Sequence, residues 1–161
     1  MSEIILDIKN LEVIYKTDIE TVNAVNKIDL KIYKGKTLGL VGETGAGKTT
    51  TALSILRLLP SNTGRILNGH IIYNGENLLE LEEAEMRKMR GEKIAMVFQD
   101  PMTSLNPVMT VGEQIAEAIT LHDENLSKEE VERIVDEKLA MVGIVPSRKI
   151  EYPHQFSGGQ R

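Results

Sequence analysis

Cysteine is absent from the 161-residue sequence, which excludes disulfides, thiolate metal sites and cysteine nucleophiles within the chain. No apolar run approaches the length needed to cross a bilayer. The opening Met1-Ser-Glu-Ile4 also lacks the basic-then-apolar layout of a secretory signal. Both absences lead to the expectation of a cytoplasmic protein. Basic residues are in deficit: 19 Lys and Arg face 24 Asp and Glu, a formal net charge of −5, which argues against a strongly basic nucleic-acid-binding surface. Internal repeats, low-complexity tracts and any linker long enough to separate independent domains are missing too. None of the three histidines, His70, His122 and His154, stands at metal-ligand spacing from another. What remains is ordinary soluble-protein composition, 41% apolar and 27% charged, at a length that suits one domain or a large piece of a bigger one.

Against that plain background, Gly42-Glu-Thr-Gly-Ala-Gly-Lys48-Thr49 fits the phosphate-binding pattern G-x-x-x-x-G-K-[ST]. Thr37-Leu-Gly-Leu-Val41 before it is apolar and of strand length. Thr50 to Leu59 after it carries apolar residues at helical spacing, so the motif has its required strand and helix flanks. Glycines 42, 45 and 47 remove Cβ atoms and let backbone N–H groups close on phosphate oxygens. The following helix aims its positive end and unpaired N–H groups at the same anion. Lys48 is positioned to reach the β- and γ-phosphates and the Thr49 hydroxyl to ligate Mg²⁺; Glu43, Thr44, Ala46 and Thr50 complete the loop and first turn. The reading is a nucleoside triphosphate site rather than a bare strand-to-helix turn.

Elsewhere, Ile4–Lys9, Leu11–Tyr15 and Val22–Tyr33 read as strands, and Gly69–Gly75 as a short one after a break at Pro60–Gly64. Glu82–Arg90 reads as a charged helix stopped by Gly91, and the acidic run Glu80, Glu82, Glu83 and Glu85 as a solvated face. Lys93–Phe98 reads as a buried strand, Pro107–Leu121 as a helix, and Ser127-Lys-Glu-Glu130 as a capping box opening a helix to about Val142. Ser157 and Gln160 repeat that spacing around two glycines, a second potential anion site at a helix start or simply a Ser-Gly-Gly turn.

Three features join the phosphate loop: Tyr15 upstream, Met96-Val-Phe-Gln99-Asp-Pro-Met-Thr-Ser-Leu-Asn-Pro107, and Phe156-Ser157-Gly-Gly-Gln160-Arg161. In that order they resemble the nucleotide-binding domain of ATP-binding cassette (ABC) proteins, over essentially the whole chain. The resemblance implies an α/β phosphate-loop NTPase fold with an antiparallel β subdomain and a helical subdomain. The β subdomain and phosphate-loop core would occupy about residues 1–100 and the helical subdomain with the signature about 101–161. It implies ATP and Mg²⁺ as ligands. Tyr15 would stack on adenine, the alternative being a packed strand tyrosine; Tyr33 is the poorer candidate. Gln99 would complete the Mg²⁺ shell and place the attacking water. Ser157, Gly158, Gly159 and Gln160 would close over the γ-phosphate held by a second subunit.

Asp100–Pro107, Gly64–Ile72 and Tyr152–Gly159 further resemble the ATPase subunits of dipeptide, oligopeptide and nickel importers. Gln160 stands where such subunits usually carry methionine, which leaves open which of the two paired ATPases is matched. This branch implies transmembrane permease subunits, a second ATP-binding subunit in a homo- or heterodimer, an extracytoplasmic substrate-binding protein acting indirectly, no nucleic acid, and a peripheral place on the cytoplasmic face. The family's Walker B aspartate, catalytic glutamate and switch histidine fall past Arg161. The expectation is therefore a core lacking its C-terminal part, and a chain that binds ATP weakly and does not cleave it. A non-transport cassette ATPase and a non-catalytic nucleotide-binding fragment are the alternatives.

Overall fold

In a computed structural model, residues 3–98, 104–123 and 125–160 are described. The chain divides into two compact units, Met1–Ile94 and Ala95–Arg161.

The first unit is built on two long strands, β1 (Ile4–Lys16) and β2 (Thr21–Tyr33), joined by a short turn. In that turn the Thr17 hydroxyl donates to the Glu20 carbonyl at 3.1 Å. With β3 (Gly64–Tyr73) and β4 (Glu76–Asn77) they form an antiparallel sheet in the order β2-β1-β3-β4. The apolar alternation changes phase partway along all three long strands. On β1, Leu6 and Ile8 are buried, then Leu11 and Val13. On β2, buried Val25 is followed by half-buried Ile28, Leu30 and Ile32, and on β3, half-buried Ile66 by buried Ile71. Since strand side chains alternate faces, each phase change needs one extra residue. The backbone turns to positive φ at Asn10 (50°), Lys27 (49°) and Gly69 (107°), and on β3 the extra residue falls between Ile66 and Asn68, next to Gly69. The ladder shifts register at the same level, between Ile8 and Leu11 against β2 and between Lys9 and Glu12 against β3. At Gly69 a Cβ would lie 2.6 Å from the Leu11 Cα, so the row of bulges closes only around glycine there. The Asn10 amide, freed from the ladder, donates to the Asp29 carboxylate at 2.7 Å.

The apolar face of this sheet buries Leu6, Ile8, Leu11, Val13, Val25 and Ile71 against Leu78 and Met86. Each such side chain contributes about 1.5–3 kcal/mol through removal from water. Helix α1 (Lys48–Ile55) and helix α2 (Glu83–Glu92) bring Ile55 and Met89 to the same cluster. Helix α1 stops earlier than its apolar spacing predicts. Arg57 turns left-handed (φ 53°), and its guanidinium donates to the Leu81 carbonyl at 2.6 Å, so a tertiary anchor overrides periodicity. The acidic run Glu80, Glu82, Glu83 and Glu85 is exposed throughout, and on that surface Glu83 pairs with Arg90 at 2.6 Å and the Glu85 carboxylate caps the Glu82 amide.

Two sequence-predicted strands are not strands. Thr37–Val41 has no ladder partner among the described residues, and of Lys93–Phe98 only Ile94 pairs, in an isolated bridge to Arg90; Val41 and Val97 are 91% and 95% exposed. An apolar run is a strand only where neighbours take its N–H and C=O groups. Strand β3, conversely, is longer than predicted, because Gly64–Asn68 find pairs along β1.

The second unit packs α3 (Val111–His122) with α4 (Lys128–Met141) and two 3₁₀ turns, Pro146–Ile150 and Pro153–Gln155. Its core is Val131, Val135, Leu139, Ile144 and Phe156, with Ile115 and Ile119 from α3. The predicted capping box forms, with Ser127 Oγ accepting from the Glu130 amide at 3.2 Å and Glu130 accepting from the Ser127 amide at 2.8 Å. Helix α3 starts at Val111 rather than Pro107 because Thr110 and Glu113 build an equivalent box there.

Candidate nucleotide site

The phosphate-loop sequence folds into a turn that hands the chain to α1. Gly45 and Gly47 take φ of 84° and 83°, a conformation other residues adopt only at a cost. Gly47 has a second constraint: a Cβ there would lie 2.2 Å from the Ala24 carbonyl oxygen. The loop is therefore seated directly on the backbone of β2.

Gly47 is also the N-cap of α1 and offers no side chain to the helix start, and the first turn holds no acidic residue. The first-turn N–H groups are thus left for an outside acceptor at the positive end of the helix dipole. Thr51 closes the turn from inside, its amide and hydroxyl both donating to the Gly47 carbonyl at 2.8 and 2.9 Å. Ser54 is fully buried and donates to the Thr50 carbonyl at 2.7 Å.

Lys48 folds back over the loop. Its ammonium donates to the Gly42 and Glu43 carbonyls at 2.7 and 2.6 Å, cinching the loop into a ring. An ammonium carries three donors, so one stays available to a ligand. Gly42 to Ala46 and Thr49 are exposed. Tyr15 is half-buried, with its hydroxyl 3.4 Å from Thr50 Oγ1 and its ring edge 3.4 Å from where a Cβ on Gly64 would lie. Tyr15, Thr50 and the loop thus share one neighbourhood.

Sequence alone does not bring β2 into this neighbourhood. A cavity of about 410 Å³ lies between β2 and the loop, with Asn23, Asn26, Gly47 and Lys48 on its walls. The one sequence signal for it is the break in alternation at Asn26-Lys27, which the structure reveals as a bulge.

Gln99 lies outside the described residues. Ser157–Gln160 belongs to the second unit and forms an exposed turn, in which the Ser157 amide donates to Gln160 Oε1 at 3.2 Å and the Gln160 amide to the Ser157 carbonyl at 2.9 Å. This is the glutamine half of the expected capping box. Neither Gly158 nor Gly159 has a neighbour within 4 Å of a would-be Cβ, and neither has positive φ. No contact among the described residues requires glycine at either position. Among the described residues no cluster of three or more His, Cys, Asp or Glu could hold a metal, and no helix is long and apolar enough to cross a membrane.

A glycine ring held by its own lysine at an uncapped helix start defines a phosphate-loop nucleotide-binding protein. More narrowly, the chain belongs to the ABC transporter family, whose pattern matches residues 25–161. It is 46% identical over 162 residues to the probable peptide ABC transporter ATP-binding protein y4tR of Sinorhizobium fredii (strain NBRC 101917 / NGR234), covering 99% of this chain and 48% of that protein. It is 44% identical over 161 residues to the dipeptide transport ATP-binding protein DppD of Bacillus subtilis (strain 168), again covering 99% of this chain and 48% of that one. The chain thus spans about half the length of the curated relatives it matches. Among solved structures, the dimeric structure of MJ0796, a bacterial ABC transporter cassette, matches with a TM-score of 0.81 at 27% identity, over 96% of this chain and 64% of that one.

Proposed function

We propose that residues 1–161 form the nucleotide-gripping portion of an ATP-binding subunit that powers peptide uptake through membrane permease partners. The observation that carries this is the Lys48-cinched loop on an uncapped helix start, in a chain whose relatives bear peptide-transport names. The loop amides and the spare Lys48 donor grip the phosphates, and Tyr15 offers its ring to the base. Mg²⁺, when bound, neutralises phosphate charge; the neutral oxygens of Thr49 and Gln99 suit it because they are hard donors that add no charge of their own. Because no described residue requires glycine at 158 or 159, an approaching ligand is a ready reason for them, and the Ser157–Gln160 turn is the surface that a second subunit's nucleotide approaches. Peptide is favoured over nickel as cargo by the relatives' names.

Residues 1–161 hold no carboxylate in the Walker B position, so this segment alone binds nucleotide without turning it over. The decisive test is ATPase rate. In the full-length protein Lys48→Ala removes turnover and weakens ATP binding by roughly 10- to 150-fold, the scale of one lost charged hydrogen bond. Turnover that survives Lys48→Ala refutes the nucleotide-gripping role, and robust turnover by the 161-residue segment refutes its inability to hydrolyse alone.

A further inference from the structure

Resting on the proposed role of Ser157–Gln160, we propose that Arg148 is a positioning residue for that turn. Every residue from Ser157 to Gln160 is exposed, while the two residues just before the turn are held from several sides. Phe156 is 4% exposed and seated in the core of the second unit. The Arg148 guanidinium lies over the Phe156 ring, 4.3 Å from its centroid. It also donates to the Gln155 carbonyl at 3.2 Å. Its own plane is fixed by a fork onto Glu151, with Nε 3.1 Å from Oε1 and Nη2 2.7 Å from Oε2. Glu151 in turn is tied to the scaffold, because its carbonyl accepts from the Val111 amide at the start of α3 at 2.9 Å.

Arg148 therefore links a rigid helix start to the last two residues before the signature turn. N–H donation to a carboxylate and a carbonyl combined with a face laid over a ring needs a guanidinium: a lysine supplies charge but neither the fork nor the flat face. A residue that only stabilised the unit would change the melting temperature and leave turnover by folded protein untouched. A residue that aims the turn changes the step in which the turn meets nucleotide, leaving the phosphate loop's own affinity intact.

The test compares Arg148→Ala, Arg148→Lys and Glu151→Gln in the full-length protein. It measures kcat and KM for ATP, direct affinity for a fluorescent ATP analogue, and thermal unfolding. Expected is a fall in kcat of about tenfold for both arginine variants, with KM and analogue affinity within about twofold of the parent. Glu151→Gln falls in the same direction by less. Arg148→Lys stays folded, so it decides the matter even where Arg148→Ala does not fold. Unchanged kcat in folded Arg148→Lys overturns the proposal, and so does analogue affinity falling in step with kcat. Lys48→Ala in the same assay separates the two layers. If it loses turnover while the Arg148 variants keep theirs, only the positioning role fails; if it keeps turnover, the underlying functional reading fails.

Discussion

Replacing Gly47 by alanine isolates how much of the phosphate loop's shape comes from its seat on β2. Two costs apply there. Holding an alanine at φ 83° costs about 1–2 kcal/mol, and the new Cβ, placed 2.2 Å from the Ala24 carbonyl oxygen, adds overpacking of about 1–3 kcal/mol. That oxygen belongs to sheet backbone, so it has little freedom to move aside. Gly45 is the internal control: its φ is 84° but nothing lies within 4 Å of a Cβ, so only the first cost applies. At roughly 2–4 °C per kcal/mol for a chain of this size, Gly47→Ala lowers the melting temperature by on the order of 10 °C and Gly45→Ala by about 4 °C. Thermal unfolding followed by circular dichroism, on both variants in parallel, reads the difference. Equal shifts would show that the contact with Ala24 does not select glycine, and the account of the loop's seat would fall.

Three further outcomes follow from the same geometry. If Tyr15 serves the base through its ring, Tyr15→Phe keeps ATP-analogue affinity within about twofold while Tyr15→Leu loses about 1 kcal/mol of stacking, or roughly fivefold; equal loss in both would assign the effect to the hydroxyl near Thr50. Glu113, Glu130 and Glu151 are each held below the ordinary glutamate value of 4.5, the first two chiefly by the backbone amides of Thr110 and Ser127 and the third by Arg148. Because the folded-state values are depressed, the unfolded chain binds more protons in that range. The stabilisation is complete above 4.5 and is lost as pH falls through the lowered values, so the denaturant midpoint of the second unit drops on acidification and the triple Glu→Gln variant flattens that slope. Finally, Ser127→Ala removes the α4 cap at a cost of about 1 kcal/mol, visible as earlier hydrogen exchange in the first turn of α4, whereas unchanged protection there would discount the cap.

The sequence disclosed most where the cause was local. The glycine-rich turn into α1, the α4 capping box and the break in helical backbone at Gly91 (φ 85°), within α2, each depend on residues within a few positions of one another, and each is present in the structure. It disclosed least where the cause was a distant partner. Residues 37–41 and 95–98 have strand composition, yet strand status belongs to a ladder and not to a segment. The end of α1 is set by Arg57 reaching carbonyls more than twenty residues away. The β2 wall beside the loop was hidden because its alternation breaks at Lys27, and a broken pattern reads as a poor strand until its neighbours are seen to break at the same level. Arg148 gave no signal of its own, since an Arg three residues before a Glu is common on any surface.

The aligned bulges at Asn10, Lys27 and Gly69 make the sheet behave like a key with three matched notches. Deleting Asn10 alone would turn Ile4, Leu6 and Ile8 to the opposite face while β2 and β3 kept their phase. The mismatch would be relieved only by removing the extra residue from the two neighbours as well. Length changes in this hairpin sheet are therefore inherited together or not at all, although most substitutions between the bulges remain free.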